Sequence, residues 1–173
     1  MKKLVFLVLV AFAMISCGGD QKKKSSEVSE ETNVKNDYEI VFQAIYQSDD
    51  EFILQYKPAD GYMEYDRPIT QEITGKSGIQ RFTIKIPEGI ALSNFQFFIS
   101  SNKDQKLVEI KNISILNNDK EVYNSGEFLF SKDFDPNVGV TYDEEKQQTK
   151  LIYGGQYPPG YSGNEQLEAN LDK

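Results

Sequence analysis

The sequence has no histidine, no tryptophan and a single cysteine, Cys17, among its 173 residues. Without histidine it holds no Ser-His-Asp or Cys-His nucleophilic site and no imidazole-ligated metal. One cysteine makes neither an internal disulfide nor a zinc–thiolate cluster. Basic side chains are also scarce, with 19 Lys and Arg against 27 Asp and Glu and a net charge of −8. Proteins that grip duplex nucleic acid present a basic stripe, so nucleic acid is not an expected partner. No nucleophile elbow, phosphate loop or cofactor fingerprint occurs, so no cofactor is expected. The length suits one domain, since a single core serves about 100–200 residues.

Long apolar runs are missing too, with one exception. Lys2 and Lys3 precede an unbroken run of twelve apolar residues, 4–15. As a helix it would span ~18 Å, short of the ~30 Å hydrocarbon core, so it reads as an export signal and not a transmembrane anchor. The next residues, Met14-Ile15-Ser16-Cys17, resemble the lipobox of bacterial lipoproteins, with Met14 where Leu is usual. That resemblance implies cleavage before Cys17, acylation of its sulfur and of the new amine, and a membrane partner through the lipid. At ~0.8 kcal/mol per buried CH₂, two or three acyl chains hold firmly. Gly18 stands where enteric bacteria place Asp to retain a lipoprotein at the inner membrane, which implies the outer membrane. Removing Lys2 and Lys3 would leave 17 basic against 27 acidic residues, a net of −10.

Residues 18–36 contain only Val28 and Val34 as apolar side chains. Such a stretch cannot bury enough surface to offset ordering entropy and is expected to be a flexible tether. From residue 37 the texture becomes short alternating runs. Tyr38, Ile40, Phe42, Ala44 and Tyr46 share one face, and Phe52, Leu54 and Tyr56 repeat the period. Phe82, Ile84 and Ile86 form another run, as do Phe95, Phe97 and Ile99. Period two over five or more residues is the half-buried strand signal. Turn chemistry falls between the runs, for example Pro58-Ala59-Asp60-Gly61 and Asn117-Asn118-Asp119. Val108 and Ile110 face one way and Ile113 and Ile115 resume one residue late, which predicts a β-bulge at Lys111-Asn112. Shorter strands are expected at 121–123, 128–130, 138–142 and 150–153.

These runs predict an all-β fold, an antiparallel β-sandwich of about eight to ten strands at the usual sandwich spacing. The expected organisation is a signal peptide at 1–16, lipidated Cys17 and tether at 17–36, a sandwich at 37–157 and a flexible tail at 158–173. The Gly/Pro-rich start of that tail is the reason for ending the domain at 157, and Leu167 and Leu171 have the spacing of one face of a short terminal helix.

The order Phe52-Ile53-Leu54-Gln55-Tyr56, a Gly-Tyr loop, Gln80 through Pro87, residues 95–100 and residues 108–115 resembles jelly-roll sandwiches of the carbohydrate-binding-module type. More closely, it looks like the small sandwich domains of Bacteroidetes lipoproteins and of some membrane-bound glycan-handling enzymes. The resemblance implies a jelly-roll fold and a glycan ligand. The chain departs from it in lacking the Trp that usually stacks on a sugar ring.

Two residue sets are candidates for binding, and a third for metal. Tyr62 and Tyr65 have the chemistry of an aromatic platform for a pyranose, with Asp66 and Arg67 as a hydrogen-bonding rim. Tyr153, Tyr157 and Tyr161 make a second aromatic series among Gly and Pro. Asp133, Asp135 and Asn137 place oxygens at alternate positions, as a calcium loop does, but Val138 stands where that loop needs Gly. The expected function is therefore a lipid-anchored, non-catalytic sandwich binding a glycan or an envelope protein. A structural or assembly lipoprotein without a small ligand is the alternative. A carboxylate-dependent glycan-active enzyme is a more distant one.

Overall fold

The computed structural model describes residues 36–127 and 130–173. The expected signal peptide, Cys17, the tether through residue 35, and Phe128 and Leu129 lie outside the described residues. Eleven strands and one helix follow in order: β1 Tyr38–Tyr46, β2 Asp50–Pro58, β3 Ile69–Ile73, β4 Lys76–Lys85, β5 Leu92–Phe98, β6 Leu107–Asn117, β7 Lys120–Asn124, β8 Phe134–Pro136, β9 Val140–Asp143, β10 Gln148–Leu151, β11 Gly160–Gly163 and α1 Glu165–Leu171. They form two antiparallel sheets. One runs β4-β1-β6-β10-β9, with β7 also paired to β6, and the other β3-β2-β5-β11-β8.

The alternation read from the sequence is what joins the sheets. Ile40, Phe42, Ala44 and Tyr46 point inward from β1 and are at most 1% exposed, while Glu39 and Gln43 stay half-exposed. Phe42 lies 4.6 Å from Phe52, 5.4 Å from Phe82 and 5.2 Å from Phe97, so one ring touches β2, β4 and β5. These rings have no polar atoms to satisfy, and taking them out of water favours the folded chain. The bulge in β6 falls where the phase break puts it. Gln43 pairs with Asn112 and Ala44 with Ile110, so Lys111 is the extra residue and both apolar pairs stay on the core face.

The expected flexible tail at 158–173 is folded, and the domain runs past 157 to the last helix. β11 sits inside its sheet, between β5 and β8. Its Tyr161 is 2% exposed, 5.5 Å from the Phe97 ring and 5.2 Å from the Phe130 ring. The glycines that suggested looseness serve close packing. A Cβ on Gly160 would stand 2.2 Å from the Phe97 carbonyl oxygen. α1 is capped by Asn164, whose side chain accepts from the Gln166 and Leu167 amides, and it buries Leu167 completely. Phe130 opens a single 3-10 turn, Phe130–Lys132, where a strand was expected. β3, β8 and β11 were not foreseen, being three to five residues long.

β3 and β4 end the two sheets on the same side, joined through Thr74 and Gly75. The Gly75 amide donates to Asp49 Oδ1 at 2.8 Å, and a Cβ there would meet the Ser48 backbone at 2.4 Å. This side, called the open side below, carries the loop between β2 and β3.

Candidate functional site

The loop 59–68 leaves β2 at Pro58 and turns back along it. The Glu64 amide donates to the Tyr56 carbonyl at 2.8 Å, and Gln55 Nε2 donates to the Tyr65 carbonyl at 3.1 Å. The backbone of the loop thus continues the edge of the β3 sheet where β3 itself stops. Its side chains go the other way. Tyr62 is 91% and Tyr65 62% exposed, and Asp66 and Arg67 are also exposed. The four predicted residues share one projecting loop, and the tyrosines do not lie down over the sheet edge.

Asp133, Asp135 and Asn137 do not converge on one point. Asp133 is buried and its Oδ2 accepts from the Tyr123 hydroxyl at 2.7 Å, which ties β7 to the segment before β8. Burial, reinforced by this bond, pushes the Tyr123 phenol far above its ordinary range. Asn137 Oδ1 accepts from the Gly139 amide at 2.8 Å and the Gly160 amide at 3.2 Å, while its Nδ2 donates to the Pro158 carbonyl. Asp135 is exposed, 3.5 Å from Asn164 Nδ2. The alternation that suggested a calcium loop is the alternation of β8, and Asp133 and Asn137 close structural bonds at its two ends. Among the described residues no group of three or more Asp, Glu, His or Cys could hold a metal ion.

The tyrosine series divides. Tyr161 belongs to the core, whereas Tyr153 and Tyr157 stand at the end of the sandwich where β1 turns into β2. Their rings are 6.2 Å apart. The Tyr157 hydroxyl donates to the Ser101 carbonyl at 2.8 Å, and the Tyr153 hydroxyl bonds Ser100 Oγ at 2.9 Å. Lys103 and Lys106 place their ammonium groups 5.1 and 5.6 Å from the Tyr157 and Tyr153 ring centroids. Burial raises the Tyr153 phenol, keeping it a neutral hydrogen-bonding group.

Asp50 organises this end, although no run or motif in the sequence singles it out. Its Oδ1 accepts from the amides of Ser101 and Asn102 at 2.9 and 3.0 Å, and its Oδ2 accepts from Ser100 Oγ at 2.6 Å. The carboxylate is thus committed to shaping the turn after β5. Beside it lies a cleft of 410 Å³ lined by Asp49, Glu51, Glu72 and Asn102 among others. A second cleft, of 520 Å³, is lined by Asn94, Asp135, Glu165 and Glu168. Lys57 and Asn94 each bond Glu168 at 2.8 Å and hold its carboxyl below the usual range, so it serves as an ion-pair anchor for α1.

Comparison with protein-family models, with curated proteins and with solved structures finds no match. Among the described residues no helix is long and apolar enough to cross a membrane.

Proposed function

We propose that the chain is a lipid-anchored, non-catalytic sandwich of the bacterial outer membrane that binds another envelope protein. The anchor rests on the lipobox-like Met14-Ile15-Ser16-Cys17. The binding half rests on one observation: Tyr62 and Tyr65 stand 91% and 62% exposed on a loop whose backbone is hydrogen-bonded to β2. Tyrosine is among the residues that carry protein-interface energy, and a ring on an ordered loop loses little conformational freedom on docking. The loop projects beside the edge of the β3 sheet, a shape that suits a protein surface better than a sugar ring.

Photo-crosslinking tests this. With p-benzoylphenylalanine at position 62 or 65 of the full-length, anchored protein, irradiated cells should yield a discrete adduct that mass spectrometry identifies as an envelope protein. Absence of an adduct from both positions overturns the reading. A glycan ligand is the second reading, favoured by the ordered Tyr153 and Tyr157 rings and their lysines. Detergent-solubilised full-length protein would then bind spots on a glycan array, and Tyr157→Ala would abolish that signal.

A further inference from the structure

β4 ends its sheet, and no described element pairs with its outer side. The phase of its hydrogen bonds is set by Ile86, whose amide donates to the Tyr38 carbonyl at 2.9 Å. In an antiparallel pair, alternate residues exchange both backbone bonds with the partner. Ile84, Phe82 and Gln80, opposite Ile40, Phe42 and Ala44, therefore commit their backbone groups to β1. Arg81, Thr83 and Lys85 fall between them and turn N–H and C=O outward. These three side chains share the outer face of the sheet, and Arg81 and Lys85 are exposed.

The charge of this strand opposes that of the chain. β4 carries Lys76, Arg81 and Lys85 and no acid, in a protein of net charge −8. Lys85 reaches Glu39 at 2.6 Å, whereas Arg81 lies opposite the uncharged Gln43. Half-buried Phe82 lies on the inner face of the same edge, 5.2 Å from Phe52 of the other sheet.

We propose that β4 takes up an extended acidic segment of a partner protein as an added antiparallel strand. This rests on the reading of the chain as a protein-binding module and names the chemistry its partner must have. Cross-strand pairing sets the pattern: acidic residues opposite Lys85 and Arg81, four positions apart, with apolar residues between them opposite Ile84 and Phe82. A second copy of the chain is a poor occupant. β4 paired with itself about Thr83 would set Arg81 against Lys85 twice, like charge on like charge. In that register the basic side chains oppose self-pairing, and they select an acidic strand.

The test uses full-length protein in detergent and a labelled, end-blocked peptide, Thr-Glu-Val-Thr-Val-Glu-Thr, beside its counterpart with Lys for Glu. Fluorescence anisotropy should show the acidic peptide binding about tenfold more tightly than the basic one. Arg81→Glu should erase that preference. Thr83→Pro removes an outward N–H that β1 does not use and should abolish binding while circular dichroism stays unchanged. Equal affinity for the two peptides, no binding below about 1 mM, or indifference to both variants overturns the proposal. A concentration-dependent dimer that Thr83→Pro dissolves would give the edge to a second copy and overturn it as well. Crosslinks from position 62 or 65 that persist undiminished in Thr83→Pro would sink strand addition and leave the broader binding reading standing. Their absence from the unsubstituted edge would remove both.

Discussion

One hydrogen bond ties the two sheets together near the chain's end, and its removal can be predicted in detail. Thr149 of β10 and Tyr161 of β11 belong to different sheets, are 0% and 2% exposed, and join hydroxyl to hydroxyl at 2.9 Å. Tyr161→Phe keeps the ring on Phe97 and Phe130 and strands the Thr149 hydroxyl without a partner. A buried polar group so stranded costs about 1–3 kcal/mol. Thr149→Val is nearly isosteric, strands the phenol instead and should cost a similar amount. The double variant leaves neither hydroxyl behind, so its loss should be smaller than that of either single one. For a domain of this size about 1 kcal/mol shifts Tm by ~3 °C. Near-UV circular dichroism melts of the full chain should therefore show each single variant about 3–9 °C below the parent and the double variant partly restored. Additive losses would refute the reasoning, because they would mean that the two hydroxyls do not satisfy one another.

Three further outcomes follow from other parts of the molecule. Gly160→Ala should destabilise by about 3 kcal/mol or more in urea titration, since the new Cβ meets backbone of β5 at 2.2 Å, whereas Gly78→Ala, with nothing within 4 Å, should change the midpoint little. Burial raises the phenols of Tyr46, Tyr123 and Tyr161 well above the ordinary value, with Asp50 and Asp133 adding to the effect at the first two. The unfolded chain releases those protons near pH ~10 and the folded chain does not, so stability is complete below that pH and falls above it. Absorbance at 295 nm should show the buried phenolates appearing only as near-UV dichroism is lost, and their earlier appearance would contradict the burial. Cys17→Ser should abolish metabolic labelling with palmitate and release the protein from the membrane fraction, and retained label would discard the proposed anchor.

The strands that were legible are those long enough to repeat. β1, β2, β5 and β6 each carry three or more inward residues, and the single phase break in β6 was readable because both halves keep their period. β8 and β11 offer one inward ring each, Phe134 and Tyr161, and one residue has no period. β11 is harder still, for its two glycines read as a breaker. Their function, letting β11 lie against β5 and Asn94, depends on residues some 60 positions away in the chain. The candidate sites divide in the same manner. Tyr62, Tyr65, Asp66 and Arg67 were found together because one loop holds them. Asp50 bonds the turn at Ser100 to Asn102, a long-range contact that neither segment announces. Asp133, Asp135 and Asn137 misled because alternate oxygens are a property of any polar strand as well as of a calcium loop.

The two sides of the sandwich treat their edges differently. At the far side the terminal strands are β8 and β9, three and four residues long, and short edges give a wandering strand little to pair with. At the open side β4 runs ten residues, with six consecutive residues from Gln80 to Lys85 in register with β1. Brevity would have silenced this edge as it does the other. A long, regular ladder kept and lined with Arg81 and Lys85 instead opposes a copy of itself centred on Thr83 and suits an acidic strand. Tyr62 and Tyr65, exposed on that same side, give a docked strand's parent protein a second place to hold.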